Sequence, residues 1–258
     1  MNARIGWIAF NTFREAVRDR VLYNLIAFAL IMTAAAVLVG QISIQIERIV
    51  VVNLGLTAIS IFGIIIAIFI GVGLVAKEIE RRTLYTVLSR PVRRWEFIVG
   101  KFFGLAGTLV VNTFFMALGL FAALFYVAHE FTRADLGLVV ALYFIVLQFF
   151  LMTALALFFS SFSTPIMSSV FAFAVFVIGT FADELHGVAS MLPGVSKALV
   201  TGFAYLVPNF SSLNVISRVA HNDPIPFSLI GLNTVYAMLY SAAAISVAAL
   251  IFDRRNLK

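Results

Sequence analysis

The chain has 258 residues, 62% of them hydrophobic and only 12% charged, with a formal net charge of +6 and no cysteine. A soluble core of this size needs far more charge on its surface, so the composition excludes an ordinary soluble domain and points to a polytopic helical membrane protein. The missing cysteines exclude disulfides, thiolate zinc sites and cysteine nucleophiles together. The positive balance reads as positive-inside topology rather than nucleic-acid binding.

Ile5, Ile8, Ala9, Phe13, Ala16, Val17 and Val21 recur at helical spacing, with Arg4, Asn11, Arg14, Glu15 and Arg18 on the other face. Residues 1–20, with Trp7 and Phe10 at the margins of the stripe, therefore read as an interfacial helix lying on the membrane before the first span. A charged extension of that span is the plainer alternative. The apolar run at 21–40 is too long for a signal-peptide core, so the start reads as retained.

Spans follow from uncharged runs, because a central charge costs at least about 2.5 kcal/mol. They fall at about 21–46, 49–76, 102–128, 136–159, 166–182 and 229–252. The fourth and fifth come from one uncharged stretch, 136–182, which as a single helix would reach roughly 70 Å, so Ser160–Pro165 is expected to turn. With the N-terminus inside, fourteen of the eighteen Lys and Arg lie in 1–20, 77–101 and 253–258. That asymmetry fixes the expected direction, with both termini cytoplasmic. The outer loop 183–228 carries four of the six prolines. Val195, Leu199, Phe203 and Leu206 recur there at helical spacing, so part of the loop is expected to be re-entrant or amphipathic. One membrane domain, 1–258, accounts for the whole chain.

The spans lack an ionisable residue near their middle, which argues against an ion-coupled carrier. There is no carboxylate pair, H-E-x-x-H or G-x-S-x-G for an intramembrane enzyme. Asn53, Thr57, Ser60, Asn112, Thr113, Gln148, Thr153, Asn233 and Thr234 are expected to bond across helices or back to their own backbone. Gly100, Gly104 and Gly107 are expected to let a helix pack closely. Asp183, Glu184 and His186, at the outer end of the fifth span, are a weak candidate contact for substrate or partner. More often such residues only mark the water boundary. No metal site is expected.

Residues 77–101, KEIERRTLYTVLSRPVRRWEFIVGK, hold ten charged residues between two apolar runs. Lys77–Leu88 is helix-compatible, and Ser89, Arg90 and Pro91 break it. Arg93–Lys101 restarts a helix into the third span. A solvated loop that only sets topology would need far fewer residues, so a protein-binding surface is the stronger reading.

Lys77-Glu78-Ile79-Glu80-Arg81-Arg82-Thr83-Leu84, then Leu88-Ser89-Arg90-Pro91-Val92, Trp95-Glu96 and Gly100-Lys101, resemble the cytoplasmic signature of ABC-2 type permeases. Arg82 departs from it, standing where the family pattern has glycine. The similarity is greatest to the branch linked to multicopper-enzyme maturation, the nitrous-oxide-reductase accessory permeases, to which Tyr205–Phe210 and Leu213-Asn214 are also similar. The resemblance implies an all-α, six-span half-transporter of an exporter in the bacterial cytoplasmic membrane. It implies a dimer with a second copy or a homologous permease, and two copies of a separate ATPase subunit that binds ATP and Mg. The chain itself carries no nucleotide-binding motif and would be no enzyme. Glu78, Glu80, Arg81, Arg82, Thr83 and Leu84 would be the ATPase-coupling contacts. The rival reading is a non-transporting, ATPase-coupled scaffold or mechanotransmitter acting on an extracytoplasmic partner through 183–228.

Overall fold

The computed structural model describes residues 2–18, 20–42, 47–80, 94–128, 135–191 and 193–254. All regular structure among them is helical. The helices are α1 (Asn2–Val17), α2 (Arg20–Ile42), α3 (Glu47–Glu80), α4 (Arg94–Ala128), α5 (Leu136–Ser160), α6 (Pro165–Thr180), α7 (Ala182–Met191), α8 (Gly194–Leu206), α9 (Ile216–Ala220) and α10 (Phe227–Arg254), with a 3-10 turn at Ser211–Leu213.

Helix α5 forms the middle of the bundle, packed against α3, α4, α6 and α10. It is apolar around its whole circumference, as a helix enclosed by others must be. Phe144, Leu147, Phe149, Leu151, Met152 and Leu157 are all buried. The expected turn lies at 161–164. Thr164, held extended by the following proline, caps α6, and Pro165 opens it, where a missing N–H costs nothing.

Four helical stretches are long and apolar enough to cross a membrane: Glu47–Gly73, Trp95–Val127, Leu136–Ser160 and Phe227–Asp253. The expected first and fifth spans contribute shorter apolar stretches, Leu30–Val39 in α2 and Pro165–Thr180. Helix α6 ends at Thr180, so Asp183 and Glu184 sit in the first turn of a separate helix, α7, rather than on the end of a span.

The second span and the helix-compatible segment after it begin as one rod. Helix α3 does not stop at 76 but continues through Lys77 and Glu78 to Glu80, 34 residues in all, or roughly 51 Å. Nothing in Ala76-Lys77-Glu78-Ile79-Glu80 breaks a helix, and all five are tolerated in its interior. The start of the charged island is therefore an extension of the membrane helix.

Two sets of contacts define the ends of the bundle. At one, α1 lies on the start of α4, and Phe97 of α4 stacks on Phe252 near the end of α10, with ring centroids 5.8 Å apart. At the other, Arg48 in the first turn of α3 donates to Asp135 (2.6 Å) and to Asn222 (2.9 Å). Asn222 adopts φ 60°, a left-handed conformation that Asn tolerates better than most residues. The segments around 48, 135 and 222, all assigned by charge to the outer side, thus meet.

Candidate functional site: a re-entrant plug and a braced charged end

The long segment after α6 does not stay on the surface. Helices α7 and α8 pack on each other, and the chain then dips into the bundle between 206 and 214. Phe210 and Leu213 are fully buried there, Phe210 edge-on to Phe176 of α6 at 5.3 Å. A Cβ on Gly179 would collide with the Pro208 carbonyl, so glycine is what lets the plug lie against α6.

Irregular backbone enclosed in an apolar bundle is tolerated only where protein supplies its hydrogen bonds. Here side chains from several helices do so. Tyr240 Oη donates to the Leu206 carbonyl (2.7 Å), and the Asn209 amide donates to Tyr236 Oη (2.8 Å). Asn233 Nδ2 donates to the Ser212 carbonyl (2.8 Å), and Gln148 Nε2 to the Leu213 carbonyl (3.0 Å). The Phe210 amide donates to the Gly179 carbonyl at 2.9 Å. From α7, Asp183 accepts from Asn209 Nδ2 (2.9 Å) and Ser211 Oγ (2.5 Å), and Asn209 Oδ1 accepts the Ser212 amide at 2.9 Å.

The opposite end is held differently. Ile5, Ile8, Ala9, Thr12, Phe13 and Ala16 of α1 face α4, where Gly100, Gly104 and Gly107 form the matching notch. A Cβ on Gly100 would stand 2.6 Å from Ile8 Cγ2, and one on Gly104 2.5 Å from the Ala9 carbonyl. The glycine spacing is thus a packing surface, as expected. The stripe of α1 is not a lipid face, however, because α4 takes it. Trp7 and Phe10, 76% and 64% exposed, are the large apolar groups left on the outside.

Two charged residues near the start of α4 are buried. Glu96 is 2% and Lys101 1% exposed. Lys101 Nζ lies 3.8 Å from Glu15 Oε2 of α1 and 5.6 Å from the centre of the Phe97 ring. The sequence put both in the helix that restarts at Arg93 and leads into the third span, without indicating that they are enclosed. Only the glycines flanking Lys101 signalled that a helix would cover it.

Of the proposed coupling residues, Glu78 and Glu80 occupy the last turn of α3, their side chains outside the described residues. Arg81, Arg82, Thr83, Leu84, Ser89, Arg90 and Pro91 lie outside the described residues altogether. Asp183 is tied to the plug, Glu184 is exposed beside it, and the His186 side chain is outside the description. No group of three or more His, Asp or Glu able to hold a metal occurs among the described residues.

The intramembrane polar groups mostly do what their spacing predicts. Thr113 and Thr234 donate to their own i−4 carbonyls at 2.8 and 2.6 Å, and Ser60 donates to Gln148 Oε1 across helices at 3.1 Å. Asn112 Nδ2 and Thr153 Oγ1 are buried with no hydrogen-bond partner among the described residues.

An apolar helical bundle with four stretches long and apolar enough to cross a membrane defines a polytopic membrane protein. The chain belongs to the ABC-2 family of transporter proteins, whose model matches residues 6–257. Among curated proteins none matches the chain. Membership makes it a multi-pass membrane permease component of an ABC transporter, a class that works with an ABC ATPase subunit and is not itself the ATPase.

Proposed function

We propose that this chain is the permease subunit of an ATP-driven exporter in the bacterial cytoplasmic membrane. It crosses six times, with both termini cytoplasmic. It works as a dimer with two copies of a separate ATP-binding subunit, which holds ATP and Mg. Glu78, Glu80, Arg81, Arg82, Thr83 and Leu84 meet that subunit, and Ser89-Arg90-Pro91 break the segment before α4 begins. Within the family, the reading assigns the chain to the nitrous-oxide-reductase accessory branch, which its charged segment resembles.

The observation that carries this reading is the continuity of α3 and α4 on either side of 81–93. Helix α3 runs from Arg48 at the plug end to Glu80, and α4 runs from Arg94 past the α1 brace into the bundle. A push on the intervening segment therefore reaches two rods that traverse the protein. The test is Glu80→Lys with Arg81→Glu in the purified complex. ATPase stimulation by the permease should be lost while the permease stays folded, and unchanged stimulation would remove these contacts from the proposal.

A second reading, force transmission to an extracytoplasmic partner, draws on α8, where Val195, Leu199 and Leu206 are exposed. Transport in proteoliposomes with the cognate ATPase separates the two. Cargo movement supports export, and stimulated ATPase without it supports force transmission.

A further inference from the structure

Gln148 makes two hydrogen bonds that point in opposite directions through the bundle. Its Oε1 accepts from Ser60 Oγ of α3 at 3.1 Å, and its Nε2 donates to the plug at the Leu213 carbonyl, 3.0 Å away. The residue is 4% exposed and lies 12 residues, about 18 Å, along α5 from Leu136. A side-chain amide has a donor end and an acceptor end. Ser60, by donating, holds the acceptor end toward α3 and so turns the donor end toward the plug. Were that hydroxyl withdrawn, the amide could rotate and set its oxygen against the Leu213 oxygen, two acceptors face to face. One turn further along, Gly63 is packed so closely on the Phe149 ring that a Cβ would collide with it, so the Ser60–Gln148 pair belongs to a tight α3–α5 contact.

We infer that Gln148 is the positioning residue of an outer gate: it ties the re-entrant plug to α3 through Ser60, so that displacement of α3 against α5 releases Leu213 and lets the plug withdraw. This rests on the permease reading, in which α3 is the rod reached from the coupling segment. The plug then senses the far end of the same helix. The hydroxyl of Ser60 sets which way the amide faces, while the amide does the holding.

The chain has no native cysteine, so a single introduced thiol reports without background. Two positions are labelled with a membrane-permeant maleimide in nanodisc-embedded chain without any ATPase. Leu213→Cys reports on the plug, and Ile98→Cys, buried at the charged end, reports on global opening. Gln148→Met should raise labelling of the Leu213→Cys thiol about tenfold and Ser60→Ala about threefold, with the Ile98→Cys thiol unchanged. Thr113→Ala, which removes a buried hydroxyl bonded to its own helix, should change neither. If Gln148→Met opens both positions, the structure has loosened as a whole, and Ser60→Ala, which removes one oxygen, decides. A flat Ser60→Ala response overturns the link to α3, and a flat Gln148→Met response overturns the tie itself. With the ATPase and a non-hydrolysable ATP analogue, the unmodified relay should label faster at the Leu213→Cys thiol. Stimulated turnover without that rise overturns the gate. Absence of stimulation instead overturns the permease reading and leaves labelling of the isolated chain to decide the relay.

Discussion

The two ends of this bundle are ordered by opposite means. At the charged end, two helices meet backbone to backbone over Gly100 and Gly104, and the interface is a continuous surface in which no single contact is separable. At the plug end, a largely irregular stretch is held by discrete hydrogen bonds donated by Gln148, Asn233 and Tyr240 and accepted by Tyr236 and Asp183. Packing of the first kind transmits displacement, because interdigitated surfaces have low compressibility. Hydrogen bonds of the second kind can be given up one at a time, each at a modest net cost of about 1 kcal/mol. Under the proposed reading, the first end is a rigid input and the second a releasable output.

The comparison breaks most visibly at Gly104. Gly104→Leu drives a side chain into the Ala9 carbonyl and Thr12 of α1, and backbone cannot yield as a side chain can. It should cost about 3 kcal/mol, read as a lowered Tm and as loss of hydrogen-exchange protection in α1 with the plug segment unchanged. If α1 stays protected, the notch is not what holds it.

The Lys101–Glu15 pair offers a sharper, asymmetric test. Glu15→Gln removes a carboxylate 3.8 Å from the buried ammonium and should destabilise by about 1 kcal/mol, discounted for the half-exposed Glu15. Lys101→Met removes the buried charge and leaves a carboxylate that water can reach, so its cost should be smaller. Equal losses of Tm from the two variants would mean that the pair does not brace α1.

At the other end, Asp183→Asn weakens the bonds from Asn209 and Ser211 and should cost about 1 kcal/mol. The effect should show as faster amide exchange confined to 206–214. Exchange spreading to α1 would contradict the independence of the two ends. Smallest of all, Thr113→Val loses a hydroxyl bonded only to the Leu109 carbonyl of its own helix and should shift stability by less than about 0.5 kcal/mol.

The helices were largely readable because excluding charge from an apolar run is a property of consecutive residues. The same logic placed the turn before Pro165. It overran at α6, whose uncharged sequence continues past Thr180 while the helix does not, since the Gly179 carbonyl bonds the returning Phe210 amide. It ended the second span at 76 while α3 runs on to Glu80 without a break, because charge marks where a helix leaves oil and not where it ends.

The sites were less legible. Gly100, Gly104 and Gly107 announced close packing, but spacing cannot name the helix that fills the notch, and the α1 stripe serves lipid or protein equally well. The enclosure of Lys101 left no local signal because its cover comes from α1, about ninety positions earlier. Gln148 looked like any buried amide, since its acceptor is a backbone carbonyl that leaves no trace in side-chain pattern.

By itself, then, the sequence determined that this is a helical membrane protein, where its apolar runs lie and where its charge gathers. Those properties follow from the cost of placing charge in hydrocarbon, which each short window of residues bears alone. Only the tertiary structure decided that α1 is spent on α4, that Lys101 is enclosed, and that 206–214 re-enters the bundle to be held by Gln148. Each depends on groups far apart in the chain satisfying one another, and burial makes that satisfaction obligatory without saying in advance which groups will supply it.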